Sequence, residues 1–228
     1  LSKRALTGTL RTATPFAFTG MCAAAAFRLG VINIGGEGQL YVGAVGASLV
    51  GLWMGNSYPV AIVIVVMVLA GMLFGGMYAS IVGILRAQLN TNEIITSLMM
   101  NYLAAILLNH LIFNSTSYWR DPKSFGFPSG RPLVARTYWP TYQILGVSVS
   151  FGLVLAIIGA VFLWVLYRRS RLGFEIGIIA DSPRAARYVG IRTKWTIITV
   201  TAMSGAFAGI GGASQVGDFA HYLDAKGL

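Results

Sequence analysis

The densest group of side chains with chemical potential is Asn33-Ile34-Gly35-Gly36-Glu37-Gly38-Gln39. It sets a carboxylate and two carboxamides among three glycines, between two apolar stretches. A charge at the centre of a bilayer costs about 2.5–3.5 kcal/mol on insertion scales. Glycines at that depth break a helix and free backbone groups, which only protein or a water-filled cavity can satisfy. Broken helices of this kind line solute pathways in transporters. The plainer alternative is an interfacial turn, with Glu37 in the first turn of the next helix, favourable to its dipole and paired with Arg28. A phosphate-binding loop is not supported, because no Lys-Ser/Thr follows the glycines and no strand–helix context surrounds them.

Two further groups stand out. Asn90-Thr91-Asn92-Glu93 precedes an apolar run. Asn90 can cap the helix that follows, with Glu93 three residues on returning a bond to the cap. Asn101 and Asn109, eight residues apart in that run, fall roughly on one face with His110 adjoining. A polar stripe on a membrane helix faces the bundle or a cavity, and a helix–helix hydrogen bond satisfies it as well as a pathway does. The second group lies between Arg171 and Gly190. Asp181 or Ser182 reads as an N-cap, Pro183 as the first helical residue and Gly190 as the stop, which predicts a short helix over 183–189. Too short to be stable alone, it must pack on something. Arg184, Arg187 and Tyr188 are then available for a protein partner or for lipid headgroups.

The elements that must position these groups are membrane helices. Of 228 residues, 56% are hydrophobic and 11% charged, against about 25% charged in soluble domains, and the mean hydropathy is +0.70. This excludes a soluble enzyme, a disulfide scaffold, a zinc module and a disordered regulator. Cys22 has no internal partner, and His110 and His221 cannot build a metal centre unaided. The net charge of +10 belongs to loops and helix ends and suits phospholipid or a cytoplasmic protein, not nucleic acid.

Uncharged runs predict six spans, at 13–32, 38–54, 59–85, 93–114, 147–167 and 195–216. The expected fold is an all-α, polytopic membrane helix bundle forming one domain over 1–228, with a broken helix near 33–38. The 168–194 connection carries Arg168, Arg169, Arg171, Arg184, Arg187, Arg192 and Lys194, and the positive-inside rule places it in the cytoplasm. Alternation then places the long 115–146 connection outside, as a cap on its own bundle or a surface for a partner. Lys3, Arg4 and Arg11 would also lie outside, against the rule, and the basic 168–194 connection outweighs them. Gly71-x-x-x-Gly75 and Gly205-x-x-x-Gly209 let helices approach closely, within the bundle or across a dimer seam. Leu1 in place of Met, and an ending in mid-course at Leu228, read as a piece of a longer chain cut at both ends.

Three ordered blocks carry a resemblance. Ile32-Asn33-Ile34-Gly35-Gly36-Glu37-Gly38-Gln39-Leu40-Tyr41 resembles a block of the ABC importer permeases of the branched-chain amino acid and simple-sugar group, especially the nucleoside/simple-sugar branch, with Ile32 where the family usually has Phe. Asn92-Glu93-Ile94-Ile95, continuing to Asn101-Tyr102, looks like a second block. Gly173-Phe174-Glu175-Ile176 followed by Ser182-Pro183-Arg184-Ala185-Ala186-Arg187-Tyr188-Val189-Gly190-Ile191 resembles the third, with Ser182 replacing Asn.

The resemblance implies that Asn33, Gly35, Gly36, Glu37, Gln39, Asn92, Glu93 and Asn101 belong to the translocation pathway. It implies an ATPase-coupling helix at 174–190, with Gly173, Glu175, Ser182, Pro183, Arg184, Arg187, Tyr188 and Gly190 as its residues. It also implies a cytoplasmic ABC ATPase, a second permease subunit and an extracytoplasmic substrate-binding protein as partners in the cell membrane. ATP would act on the partner, with no cofactor or metal on this chain, and the solute would be a nucleoside or simple sugar. Alternatives from other classes are an ion- or proton-coupled carrier using Glu37, a structural membrane subunit, and an intramembrane enzyme using His110 and Glu37. The last lacks any His-Glu-x-x-His or Gly-x-Ser-x-Gly pattern.

Overall fold

The computed structural model describes residues 2–124, 127–144 and 146–224. Both chain ends, on which the reading of a cut chain rests, and Phe125 of the long connection lie outside the described residues. Helix α1 runs Lys3–Phe27, α2 Gly36–Met54, α3 Val60–Leu89, α4 Glu93–Phe113 and α5 Phe151–Arg169. Two short helices follow, α6 Arg171–Asp181 and α7 Pro183–Tyr188, and then α8 Thr193–Ser214, continued by a π-helical turn at Gln215–Ala220.

Four stretches are long and apolar enough to cross a membrane: Val60–Leu89, Glu93–Phe113, Phe151–Arg169 and Thr193–Ala220. Helices α1 and α2 match two of the six expected segments in position but not in composition. The first carries Lys3, Arg4 and Arg11, and the second is rich in glycine with Glu37 and Gln39 in its first turn. Exposed Ile62, Val65, Leu69, Leu73, Tyr102, Ile106, Ile157 and Phe162 coat the outer faces of α3, α4 and α5, as lipid-facing helices require.

Helix α8 is the centre of the bundle. The two small-residue pairs meet each other there. A β-carbon on Gly75 would sit 2.5 Å from the Gly205 carbonyl oxygen and 2.7 Å from Gly209 Cα, and one on Gly71 would sit 2.7 Å from the Gly209 carbonyl oxygen. The pairs therefore seat α3 on α8 within the chain, where backbones this close gain dispersion and Cα–H···O contacts. The core at one end joins Val63, Met67, Leu108, Ile112, Leu133, Trp139, Val216 and Leu223.

The 115–146 connection is a cap on its own bundle. Trp119 Nε1 donates to Ser48 Oγ at 3.0 Å. The N–H groups of Gly130, Leu133 and Trp139 donate to the carbonyls of Leu223, His221 and Gly217. The all-α expectation omitted a hairpin there, β1 Thr141–Ile144 paired antiparallel with β2 Val147–Ser150. Gly146, at φ +80°, occupies the tight connection, and alternating Val147-Ser148-Val149-Ser150 forms a strand where a span was expected to begin. Helix α5 starts after it, capped by Ser150 Oγ, which accepts from Leu153 N–H at 3.3 Å.

Two other expectations are corrected. Asn90 is not a helix N-cap. It ends α3 in the left-handed conformation, at φ 52°, and Asn92 caps α4 by accepting from Ile94 N–H at 3.0 Å and Ile95 N–H at 3.4 Å. The short helix over 183–189 exists as α7, Pro183–Tyr188, and the single coupling helix expected over 174–190 is two helices, α6 and α7, parted at Ser182, which ends one and caps the other. The buried face of α6, Gly173, Ile176 and Ile179, keeps helical spacing that the sequence reading had passed over in favour of the Pro183 start signal.

Candidate functional site

The glycine-rich segment breaks the chain between α1 and α2. Asn33 folds back and accepts the Gly35 N–H at 2.9 Å through Oδ1, and α2 starts at Gly36 without a side-chain cap. Asn33 and Gln39 are fully buried and bond reciprocally: Asn33 Nδ2 donates to Gln39 Oε1 and Gln39 Nε2 donates to Asn33 Oδ1, each at 3.1 Å. Asn33 Nδ2 also donates to Ser204 Oγ at 2.9 Å. Ser204 donates to the Cys22 carbonyl at 2.6 Å, and the Cys22 thiol donates to Gln39 Oε1 at 3.2 Å. Helices α1, α2 and α8 thus meet in a closed polar knot inside an apolar bundle, the arrangement that makes buried polar atoms tolerable.

Helix α4 braces the same break. Ser97 Oγ accepts from Ile34 N–H at 3.2 Å. Asn101 accepts from Gly38 N–H at 2.8 Å and donates to the Ile34 carbonyl at 3.0 Å. These bonds satisfy the backbone groups that the glycines expose. Asn101 lies eight residues into α4, about 12 Å along its axis, so the break sits well inside the span. The inward face of α4 is Glu93, Ser97, Ala104, Leu108 and Ile112. Asn109 and His110 fall on the exposed side and do not extend a stripe from Asn101.

In front of the knot lies a groove of about 520 Å³, lined by Phe16, Thr19, Cys22 and Phe27 of α1 and by Asn33, Gly36, Glu37 and Tyr41 among others. Glu37 is exposed in it and accepts from Tyr41 OH at 2.6 Å. It makes no pair with Arg28, whose guanidinium lies over the Tyr167 ring at 5.9 Å. A second cavity of about 360 Å³, lined by Arg11, Thr12, Gln215 and Phe219, shares Pro15 and Phe16 with the first. The two run along one face of α1 from Arg11 to Phe27, about 24 Å. The groove offers hydroxyl, amide and carboxylate groups between aromatic faces, a lining that suits a neutral polar solute.

The structure therefore gathers Asn33, Gly35, Gly36, Glu37, Gln39 and Asn101 at one place. Asn92 and Glu93 make no bond to that group: they are the cap and first residue of α4, one turn before Ser97, and Glu93 Oε2 pairs with Arg86 Nε at 3.2 Å. Sequence reasoning missed Cys22, Ser204 and the α1 face. Thr12, Pro15, Thr19 and Cys22 recur at helical spacing and were the available signal. It also missed Asp218, a buried carboxylate that accepts from Gly152 N–H at 2.8 Å and Ser214 Oγ at 2.9 Å at the start of α5.

The basic segment forms an elbow. Ser170 Oγ accepts from Gly173 N–H at 3.1 Å, and a β-carbon at Gly173 would lie 2.5 Å from the Tyr167 carbonyl oxygen, so glycine permits the sharp turn from α5 into α6. Arg171 Nε pairs with Glu175 Oε1 at 3.2 Å. Ser182 Oγ caps α7 by accepting from Ala185 N–H at 3.3 Å, Pro183 is its first residue, and Gly190, at φ +81°, ends it. Ala186 is wholly buried against Leu29, Ile176, Ile179 and Val200. Arg184 and Arg187 are exposed, and Tyr188 is 92% exposed. The elbow is anchored on one face and free on the other.

Comparison with known proteins shows what the chain is similar to. The chain is 32% identical over 96% of its length to the guanosine ABC transporter permease protein NupP of Bacillus subtilis, covering 62% of that protein. It is 32% identical over 92% of its length to the nucleoside permease NupB of Lactococcus lactis, covering 58%. It is also 32% identical over 94% of its length to the glucose permease TsgB13 of Haloferax volcanii, covering 57%. The chain thus spans about three fifths of the length of these curated relatives. No solved structure matches it significantly. Residues 5–223 match the family described as branched-chain amino acid transport system / permease component, and the chain belongs to that family.

Proposed function

We propose that the chain is a permease subunit of an ATP-driven ABC importer in the cell membrane, and that its groove forms one wall of the pathway for a nucleoside or simple sugar. The observation that carries this reading is the groove on α1 and residues 33–41, backed by a fully hydrogen-bonded polar knot inside the span. Relatives named for guanosine, nucleosides and glucose share a neutral, hydroxyl-rich solute chemistry, which Thr19, Tyr41 and Glu37 in the groove match. In this reading α1 and α2 also cross the membrane, giving six spans, and the basic elbow faces the cytoplasm. A second permease subunit faces the open side of the groove. The 115–146 cap meets a substrate-binding protein. The free face of α7, with Arg184, Arg187 and Tyr188, docks on a cytoplasmic ATPase that binds and hydrolyses ATP, so that this chain needs no cofactor of its own.

The test is purification of the full-length protein in mild detergent with its gene neighbours. A co-purifying ATPase whose turnover rises with a receptor loaded with one nucleoside or sugar supports the reading and names the solute. No ATPase partner, together with ion-gradient-driven uptake in liposomes, overturns it in favour of a secondary carrier.

A further inference from the structure

The basic end holds a polar cleft that lies apart from Arg184, Arg187 and Tyr188, the α7 face proposed to dock on the ATPase. It has a volume of about 360 Å³ and lies between α6 and α8, lined by Arg171, Glu175, Arg192, Trp195, Thr196 and Thr199 among others. We propose that this cleft binds the headgroup of an anionic phospholipid from the leaflet at the basic end of the bundle.

Charge is the first argument. Glu175 is the cleft's one carboxylate among its described lining, and it engages Arg171 through Nε alone, which leaves the terminal nitrogens of that guanidinium to reach a phosphate. Arg192 has no ion-pair partner among the described residues. The site therefore keeps one net positive charge, with two forked donors and the Thr199 hydroxyl around it, while buried Thr196 Oγ1 donates to the Arg192 carbonyl at 3.4 Å. The surrounding 168–194 connection adds five more basic residues. Clusters of this kind at a membrane surface attract anionic lipid.

Position is the second argument. The cleft lies where α5 has ended, at Arg169, and α8 begins, at Thr193, which is the level of the bilayer surface. Trp195 is 65% exposed, and Trp164 lies under the Arg168 guanidinium at 5.4 Å. Tryptophans at this level mark the headgroup region. Phe174, 67% exposed on α6, supplies apolar surface beside the cleft for an acyl chain. The outward residues of α7, Arg184, Arg187 and Tyr188, are not part of the cleft, so lipid here and a protein on α7 do not compete for the same side chains.

The experiment uses the full-length permease in its assembled complex, in nanodiscs of phosphatidylcholine with a minority of phosphatidylglycerol, followed by native mass spectrometry of the extracted complex. Phosphatidylglycerol is expected to be retained in preference to phosphatidylcholine. Retention should fall about fivefold for each of Arg171→Gln and Arg192→Gln. Arg171→Lys and Arg192→Lys, which keep the charge, should retain lipid within about twofold of the parent and control for misfolding. Equal retention in the glutamine variants overturns the proposal. Displacement of the lipid by soluble glycerol 3-phosphate alone overturns it in favour of a free anion site. Loss of the ATPase with lipid retention unchanged overturns it by assigning the two arginines to that partner. None of these readouts depends on the transported solute, so the outcome is separable from the fate of the importer reading.

Discussion

Asn33→Leu tests the polar knot most directly, because leucine matches asparagine in shape and carries no polar atom. In the parent, Asn33 Oδ1 accepts from Gln39 Nε2 and from Gly35 N–H. Both donors lie in buried residues, and Asn33 is the acceptor the structure gives each of them. Leucine leaves the two donors unsatisfied, whereas Ser204 keeps the Cys22 carbonyl and Gln39 Oε1 keeps the Cys22 thiol. At about 1–3 kcal/mol per orphaned buried group, the loss is about 2–6 kcal/mol. Gln39→Leu removes a donor from Asn33 but leaves Asn33 bonded to Gly35 and Ser204, so it should cost about 1–3 kcal/mol. The double variant removes both halves of the reciprocal pair and leaves Gly35 N–H as the main orphan. It should therefore be less damaging than the two single losses added together, by about 2–6 kcal/mol. The assay is thermal or denaturant unfolding of the full-length protein in detergent, read by size-exclusion fluorescence, for all four members of the cycle. Strict additivity, or an Asn33→Leu protein as stable as the parent, would refute the reciprocal pair.

Gly209→Ala should cost about 1–3 kcal/mol by forcing α8 away from α3, because its β-carbon collides with the Gly71 carbonyl. Gly177→Ala, in α6 with open space around it, should stabilise the protein by up to about 1 kcal/mol in the same unfolding assay. Arg184→Glu with Arg187→Glu should lower receptor-stimulated ATPase activity while leaving the protein in the membrane, and transport at the parental rate would remove α7 from the coupling role. Glu37→Gln keeps an acceptor for Tyr41 OH and should leave ATP-driven uptake intact; a loss of pH dependence in that variant would favour a titrating carrier. Burial and the nearby Arg11 hold the His221 imidazole below its ordinary pKa, so the unfolded chain binds a proton first as pH falls. Stability from this group is present above the ordinary histidine range and is lost on acidification through it. His221→Asn, which tolerates the left-handed backbone at φ 62°, should flatten the difference in unfolding midpoint between pH 7.5 and 5.5.

Local signals in the sequence reach some of this architecture and not the rest, and the difference follows from range. Ser182, Pro183 and Gly190 act within one helix turn, so the start and stop of α7 are readable from residue type alone. The two small-residue pairs are readable as close-approach surfaces, but which helix each meets is a tertiary fact. Asn33 is conspicuous because glycines surround it, yet its partners Cys22 and Ser204 lie 11 and 171 residues away, each an ordinary small residue in its own helix. The face of α1 is masked in another way. Thr12, Thr14 and Thr19 return their hydroxyls to carbonyls one turn back, at Gly8, Leu10 and Pro15, and so satisfy themselves within an apolar helix. Such threonines give no signal of unmet polarity, whether they face lipid or a groove. What separates the two is the neighbour across the space: Glu37 and Tyr41 stand opposite α1 only because Asn33 turns the chain back through Gly35. The groove is thus a consequence of the break at 33–38, and a change that straightens this break removes the groove without touching any residue of α1.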